Sequence, residues 1–492
     1  MERFNNKAAE MFAAAMADPK SNIKLSSQTS STTRATLSTY LSNPVSNATM
    51  LSNIMYSVYH RDGVVSRVIN YFLSHLTYNH NIYPVIGSDK NAELEFPDST
   101  LDDFIATSTV LDNLNLRYYA PAFIEQTFIS GVSYWYEVSD TKGIAYMQFP
   151  YSWGRIVRQD QGVYRWRLDI SKLKTDIYDI MPKEIQTAYD TYRNGGVSSD
   201  DPNWYDGRWY ILSDKAVAFC FDQTVLNNGG VAVSPFASVL MDESDLDTAK
   251  GNVLIKDKID TIRLVHSKIP TDKEGTPLMS IKTARAYDTQ LKNSLPSGVV
   301  AVTSATDLQN IPLSGSGNSK SYEMVEKANN LLFTGFGVAQ PLFGGSTTSA
   351  NIVKLSIQKD ANWLYTIVLP ALTNYYNYKL NNGVKRQNKK MRWNIRFLNQ
   401  SYYTAQDDMK NLKDALTYGG SRTDILAAAG MSPIEIYSKL KFEQEQLKID
   451  DLMIVKPTAN NIGAGGDPTS NGAGRPVTDN PSDDTDRIEG NA

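Results

Sequence analysis

A predominantly helical α+β fold is what the sequence predicts, and three observations carry the prediction. Long segments with helical hydrophobic spacing flank a block of short strand-like runs; a helix of unusual length with an acidic start and a basic end begins near residue 243; and 28 Tyr, 16 Phe and 7 Trp supply enough apolar surface for several cores. A chain of 492 residues exceeds one compact domain. With 49 Lys plus Arg against 53 Asp plus Glu, the formal charge is -4, which excludes a protein that grips phosphate over its whole surface.

The order of elements starts with a short amphipathic stretch, Ala8 to Ala17, in which Glu2 and Glu10 argue against a secretory signal. Residues 21–50, rich in Ser, Thr and Asn, read as an arm outside the core. From Leu51 the apolar residues fall on one helical face through Leu76, with Gly63 as a break. A second helical stretch, Thr100 to Ile129, ends at Gly131. The runs VSYWYEV, IAYMQF, GRIVRQ and VYRWRLDI then predict a small antiparallel sheet, followed by a helix over Pro182 to Arg193 and the strand-like WYIL and AVAFCF. The single Cys220 lies in that last apolar run and predicts a buried thiol, in keeping with assembly in a reducing cytoplasm.

Asp242, Glu243, Asp245 and Asp247 open the long helix and Arg263, His266 and Lys268 close it before Pro270, in accord with the helix dipole. Roughly 24 residues at about 1.5 Å each give a helix on the order of 36 Å. Ile255, Ile259, Ile262, Val265 and Ile269 form its apolar stripe. An insertion follows, with a short helix near Leu278 to Leu295 and strand-like GVVAV and LQNIPL. A second helix over Ser319 to Gly335 carries Met324, Ala328, Leu331 and Leu332 on one side. Beyond the Gly-containing loop, a helix from Asn351 to Asn382 holds Pro370 as a kink and Ser349 as a cap, and Gly383 ends it. The strand MRWNIRFL and helices over Ala405 to Lys448 complete the folded part; the tail 457–492, without aromatic residues, predicts disorder.

Enzyme chemistry has no foothold in the sequence. Ser314 to Ser321 spells SGSGNSKS, but a phosphate-binding loop needs Gly where Ser314 and Ser319 stand. His60, His75, His80 and His266 lack metal-ligand spacing and read as helix-surface residues. Asp242, Asp245 and Asp247 lack the calcium-loop pattern, and Asp407 with Asp408 reads as an acidic helix start. No 18-residue apolar run predicts a membrane span. The expectation is a non-enzyme with no cofactor and no metal.

Four segments carry a resemblance. They are YSVYHRDGVVSRVINYFLSHLTYN; FIEQTFISGVSYWYEV continuing into YMQFPYSWGRIV; PFASVLMDESDLDTAKGNVLIKDKIDTIRLVHSKIP; and FGVAQPLFGGSTTSANIVKLSIQKDANWLYTIVLPALTNYYNYKL. Taken in this order, over about residues 51 to 400, the chain resembles the portal proteins of tailed bacteriophages, particularly long-tailed phages of Gram-positive hosts. The resemblance implies a portal fold with wing, stem, clip and crown, assembled as a dodecameric ring at one capsid vertex of the virion. It would place an arm at 1–50, the wing at 51–242, a stem helix at 243–266, the clip at 267–318, a second stem helix at 319–340, a tunnel loop at 341–350, a wing helix and strand at 351–404, the crown at 405–456 and a tail at 457–492. Stem packing would then fall to Ile255, Ile259, Ile262, Val265 and Leu331. The tunnel loop against double-stranded DNA would be Pro341, Leu342, Phe343, Gly344, Gly345, Ser346, Thr347, Thr348 and Ser349. Docking of the terminase large subunit and of a neck or adaptor protein would use Lys273, Lys282, Arg285 and Lys292 of the clip. The major capsid protein and a scaffold protein would be further partners. The rival from the same structural class is another phage head or neck protein.

Overall fold

The computed structural model describes residues 33–85, 96–140, 143–198, 200–261, 263–268, 270, 278–294, 299–304, 318–343, 349–388 and 391–448. The expected helix at Ala8 to Ala17, the strand-like LQNIPL and the tail lie outside them. The chain divides into two units, Met1–Ile436 and Tyr437–Ala492. In the second, Lys441 and Glu445 form an i,i+4 ion pair at 3.8 Å.

The first unit opens with three helices, α1 (Arg34–Ser42), α2 (Ala48–Arg61) and α3 (Gly63–His75). The expected arm is therefore corrected: its second half is helical. Thr33 caps α1, and Leu37 is buried with Tyr40 and Leu41 packed beside it. Those three apolar residues have helical spacing, which the surrounding Ser and Thr obscured. The break at Gly63 is real. Asp62 ends α2 and caps α3, accepting from the amides of Val64 (2.7 Å) and Val65 (3.0 Å).

The stretch expected as one helix over Thr100 to Ile129 is two, α4 (Thr100–Asn113) and α5 (Leu116–Ser130), with Asn115 between them at φ +45°. Asn is among the few side chains that tolerate this left-handed conformation. At Gly131, φ is +86° and a Cβ would strike the Val233 backbone, so this helix-to-strand step requires glycine.

The sheet holds the four expected strands β2 (Val132–Asp140), β3 (Gly143–Phe149), β4 (Gly154–Asp160) and β5 (Val163–Asp169). After helix α6 (Lys183–Arg193) it gains β6 (Trp204–Tyr205), β7 (Trp209–Ile211) and β8 (Ala216–Cys220). Its order is β3-β2-β8-β5-β7-β6 with β4 on β5, so β8 inserts between β2 and β5. Both faces are covered at the centre. Trp135, Val217 and Phe219 enter the core shared with the helices; their neighbours Tyr134, Tyr136, Ala216 and Ala218 enter a second core with Trp166, Ile170 and Ile185. Strict alternation of side chains about the strand axis produces that division. Cys220 is buried in this second core, and burial pushes its thiol up to about 12.

Next come α7 (Val239–Thr261), β9 (Arg263–Lys268), α8 (Ile281–Ser294), β10 (Val299–Ser304) and α9 (Asn318–Phe336). The long helix was expected to run to residue 266; it stops at Thr261. Arg263–Lys268 instead pairs in parallel with Val299–Ser304, Val265 opposite Ala301. The segment TIRLVHSKI has β-branched content and satisfies a strand period as well as a helical one, and a partner strand decides between them.

Helix α10 (Ala350–Asn382) contains Pro370 and ends at Gly383 as expected. The strand β11 (Arg392–Phe397) does not join the large sheet; it pairs antiparallel with β1 (His80–Val85), a strand the sequence did not announce. Helices α11 (Ala405–Thr417), α12 (Arg422–Ala428) and α13 (Pro433–Glu445) follow. Helices predominate in a mixed α and β architecture, and among the described residues no helix is long and apolar enough to cross a membrane.

Candidate functional site

The candidate site is the pair α7 and α9, the β9–α8–β10 unit between them, and the turn leading from α9 into α10. The two helices run against each other: the end of α9 lies on the start of α7, so a side chain at Gly335 would meet the Asp242 carboxylate. Val239, Leu240, Leu246 and Ala249 of α7, and Ala328, Leu332, Phe333 and Phe336 of α9, reach the main core.

Around the first turns of α7 the acidic residues are tied to the first helices. Arg34 meets Asp245 at 2.8 Å, while Arg61 bridges Glu243 (2.9 Å) and Asp247 (2.8 Å). Lys250 lies 3.5 Å from Asp62. Burial raises the Glu243 carboxyl, and its bond to Arg61 opposes that rise. Oxygens of Asp62, Glu243 and Asp247 come within 4.8 Å of one another, close enough to share a cation. Arg61 and Lys250 already balance two of the three carboxylates, and Asp62 is committed to capping α3. The arrangement fastens α7 to α2 and α3.

Farther along the pair, apolar side chains lack cover. Leu254 is 62% exposed, Met324 57% and Leu331 56%; on α10, Ile352 and Leu355 are exposed too. This corrects the expected face of α9: Leu331 and Met324 point away from the core that takes Ala328 and Leu332. The stripe expected on α7 also changes. Ile255 and Ile259 lie on α7, Val265 lies on β9 instead of on a helix, and Ile262 and Ile269 fall outside the described residues.

Of the clip residues, Lys282 and Arg285 are exposed on α8, Lys292 lies on the same helix, and Lys273 is outside the described residues. Arg285, Thr289 and Asn293 border an open hollow of about 700 Å³ along that helix.

The expected tunnel loop divides. Pro341, Leu342 and Phe343 belong to a 3-10 turn, Gln340–Phe343, packed on the core. The Phe343 ring stacks on Phe333 with centroids 5.2 Å apart, meets Tyr71 edge-on at 5.2 Å and lies under the Arg67 guanidinium at 5.8 Å. The expected loop is thus anchored over its first three residues, because an aromatic ring beside other rings is drawn into them. Gly344, Gly345, Ser346, Thr347 and Thr348 lie outside the described residues. Ser349 occupies the N-cap position of α10 without a side-chain bond.

The remaining sequence candidates have local roles. Asp408 accepts from the Thr404 hydroxyl at 2.7 Å, and Asp407 pairs with Lys354 at 2.6 Å, at the start of α11. His75 and His80 are not surface residues: both are buried, and burial lowers each ring to about 4. His75 Nδ1 lies 3.1 Å from the Ser401 hydroxyl. His60 is exposed on α2, and His266 sits on β9.

No family model matches the sequence, and no curated protein matches it either. Among solved structures, a chain titled "Virion of native gene transfer agent (GTA) particle" is similar at 13% identity and a TM-score of 0.38, over 74% of this chain and 87% of that one. So loose a likeness carries no argument about what the chain does.

Proposed function

We propose that the chain is a portal subunit of a tailed bacteriophage, one copy of a dodecameric ring through which double-stranded DNA enters and leaves the capsid. The observation that carries the reading is the helix pair α7 and α9 bracketing a small β9–α8–β10 unit, with Leu254, Met324 and Leu331 left in water. A row of apolar side chains on a long helix pair gains stability when a neighbouring copy covers it, and head-to-tail repetition of such a contact closes into a ring. A conduit must touch phosphate without holding it, since each neutralised phosphate adds binding that brakes sliding. A net charge of -4 per chain and the uncharged PLFGGSTTS segment suit that requirement.

In this reading the exposed Lys282 and Arg285 face the terminase motor and the neck protein in turn, and the protein carries out no chemistry and holds no cofactor. Electron microscopy of the purified protein tests it: the expected result is rings with a central opening, and compact single particles even with scaffold and capsid protein supplied would end the proposal. An ATPase assay is expected to show no turnover.

A further inference from the structure

Away from the helix pair, a cleft of about 480 Å³ lies where the outer part of the large sheet meets the start of α2. Arg155, Lys172 and Arg208 converge on it, together with Thr49, Asn228 and one acidic residue, Asp169. The Asp169 carboxylate is already engaged, accepting from the Ser171 amide (3.2 Å) and hydroxyl (2.5 Å), and Arg208 approaches it only to 3.9 Å. Among the described residues, neither Arg155 nor Lys172 has a carboxylate within ion-pair distance.

The charge arrangement behind the cleft is unfavourable as it stands. Arg155 on β4 is directly opposite Arg167 on β5. Like charges at opposed positions repel, and here both guanidinium groups lean on the same ring, each 5.5 Å from the centre of Trp209. Arg208 lies 5.6 Å from that ring as well. The Arg167 Nε is buried without a hydrogen-bond partner. Within the cleft lining three cations, Arg155, Lys172 and Arg208, thus face one acid, Asp169, with Arg167 and Asp206 behind them. The first turn of α2 adds its positive end: it has no acidic residue, and Asn47 provides no side-chain cap.

We infer that this cleft binds a phosphate-class anion, either free or carried on a nucleotide. The surplus of two positive charges matches such a group, guanidinium forks fit its oxygens two at a time, and the cleft volume admits a compact ligand but not a duplex.

Calorimetric titration of the full-length protein with pyrophosphate, at constant ionic strength set by chloride, tests the site. Saturable binding is expected, weakened about tenfold or more by Arg155→Gln and by Arg208→Gln. Lys172→Gln, at an exposed position, gives a third variant should either arginine change unfold the sheet, and Lys413→Gln on α11 is expected to bind as the parent does. A parallel titration with ADP distinguishes the sources: tighter binding than pyrophosphate identifies a nucleotide carrier, equal binding the free anion. Absence of saturable binding by both ligands, or equal binding by every variant, overturns the inference.

Discussion

The body of the first unit and its α7–α9 pair bury apolar side chains to opposite degrees. In the body, Phe123 stacks on Phe219 with centroids 4.5 Å apart, meets Trp135 edge-on at 4.9 Å, and is fully buried. Along the pair, Leu254, Met324 and Leu331 have no such cover although their residue types are equally apolar. The body centres on a closed aromatic core, whereas the pair leaves a row of aliphatic side chains in water. Burying a leucine-sized side chain contributes about 1.5–3 kcal/mol, which is the gain the proposed ring would draw from covering this row.

The largest effect should come from the body. Phe123→Ala removes a ring from a fully packed site and is expected to cost about 3–5 kcal/mol, read as a lower urea midpoint. A loss under about 1 kcal/mol would mean the two regions are packed alike.

Acid should act on the body next. His75 and His80 have folded values near 4 because of burial, below the ordinary unfolded value of about 6.5. The unfolded chain therefore takes up protons first, and stability falls as pH drops from about 6.5 towards 4. Each ring is expected to contribute a loss of about 2 kcal/mol between pH 7 and pH 5. Unfolding curves at the two pH values check this, and His75→Gln should flatten the dependence.

The junction between the regions comes third. Arg61→Ala strips the nearly inaccessible Glu243 of its partner and should cost about 1–2 kcal/mol, because Arg61 is itself half exposed. Glu243→Gln in the same background should restore part of the loss, as measured by thermal melting.

The smallest effect on the isolated chain is expected at Leu331. Leu331→Asp should move its unfolding free energy by no more than about 0.5 kcal/mol, since the side chain already faces water. If the chain forms rings as proposed, the same change, and Ile259→Asp on α7, should abolish them in light scattering after size exclusion. Normal rings from both variants would remove the pair from the assembly contact.

Much of this was legible from local sequence. The break next to Gly63, the stops at Gly131 and Gly383, the strands β2 to β5, the buried Cys220 and the acidic start of α7 follow from periodicity, turn chemistry and the helix dipole, all of which act within a few residues. The helical half of the arm was legible too, in Leu37, Tyr40 and Leu41, but polar neighbours diluted its signal.

Other features depend on partners far along the chain, and there the tertiary structure decided. Residues 263–268 became a strand because Val299–Ser304 lies beside them, and His80 became a core residue because β11 pairs with β1. Which side of α9 is buried, Leu332 or Leu331, depended on where α7 lies, and Arg155 came to oppose Arg167 only through the register of β4 and β5. The sequence by itself determined what each segment favours, since propensity and capping are short-range; contact between distant segments selects among near-equal alternatives only once the chain has folded.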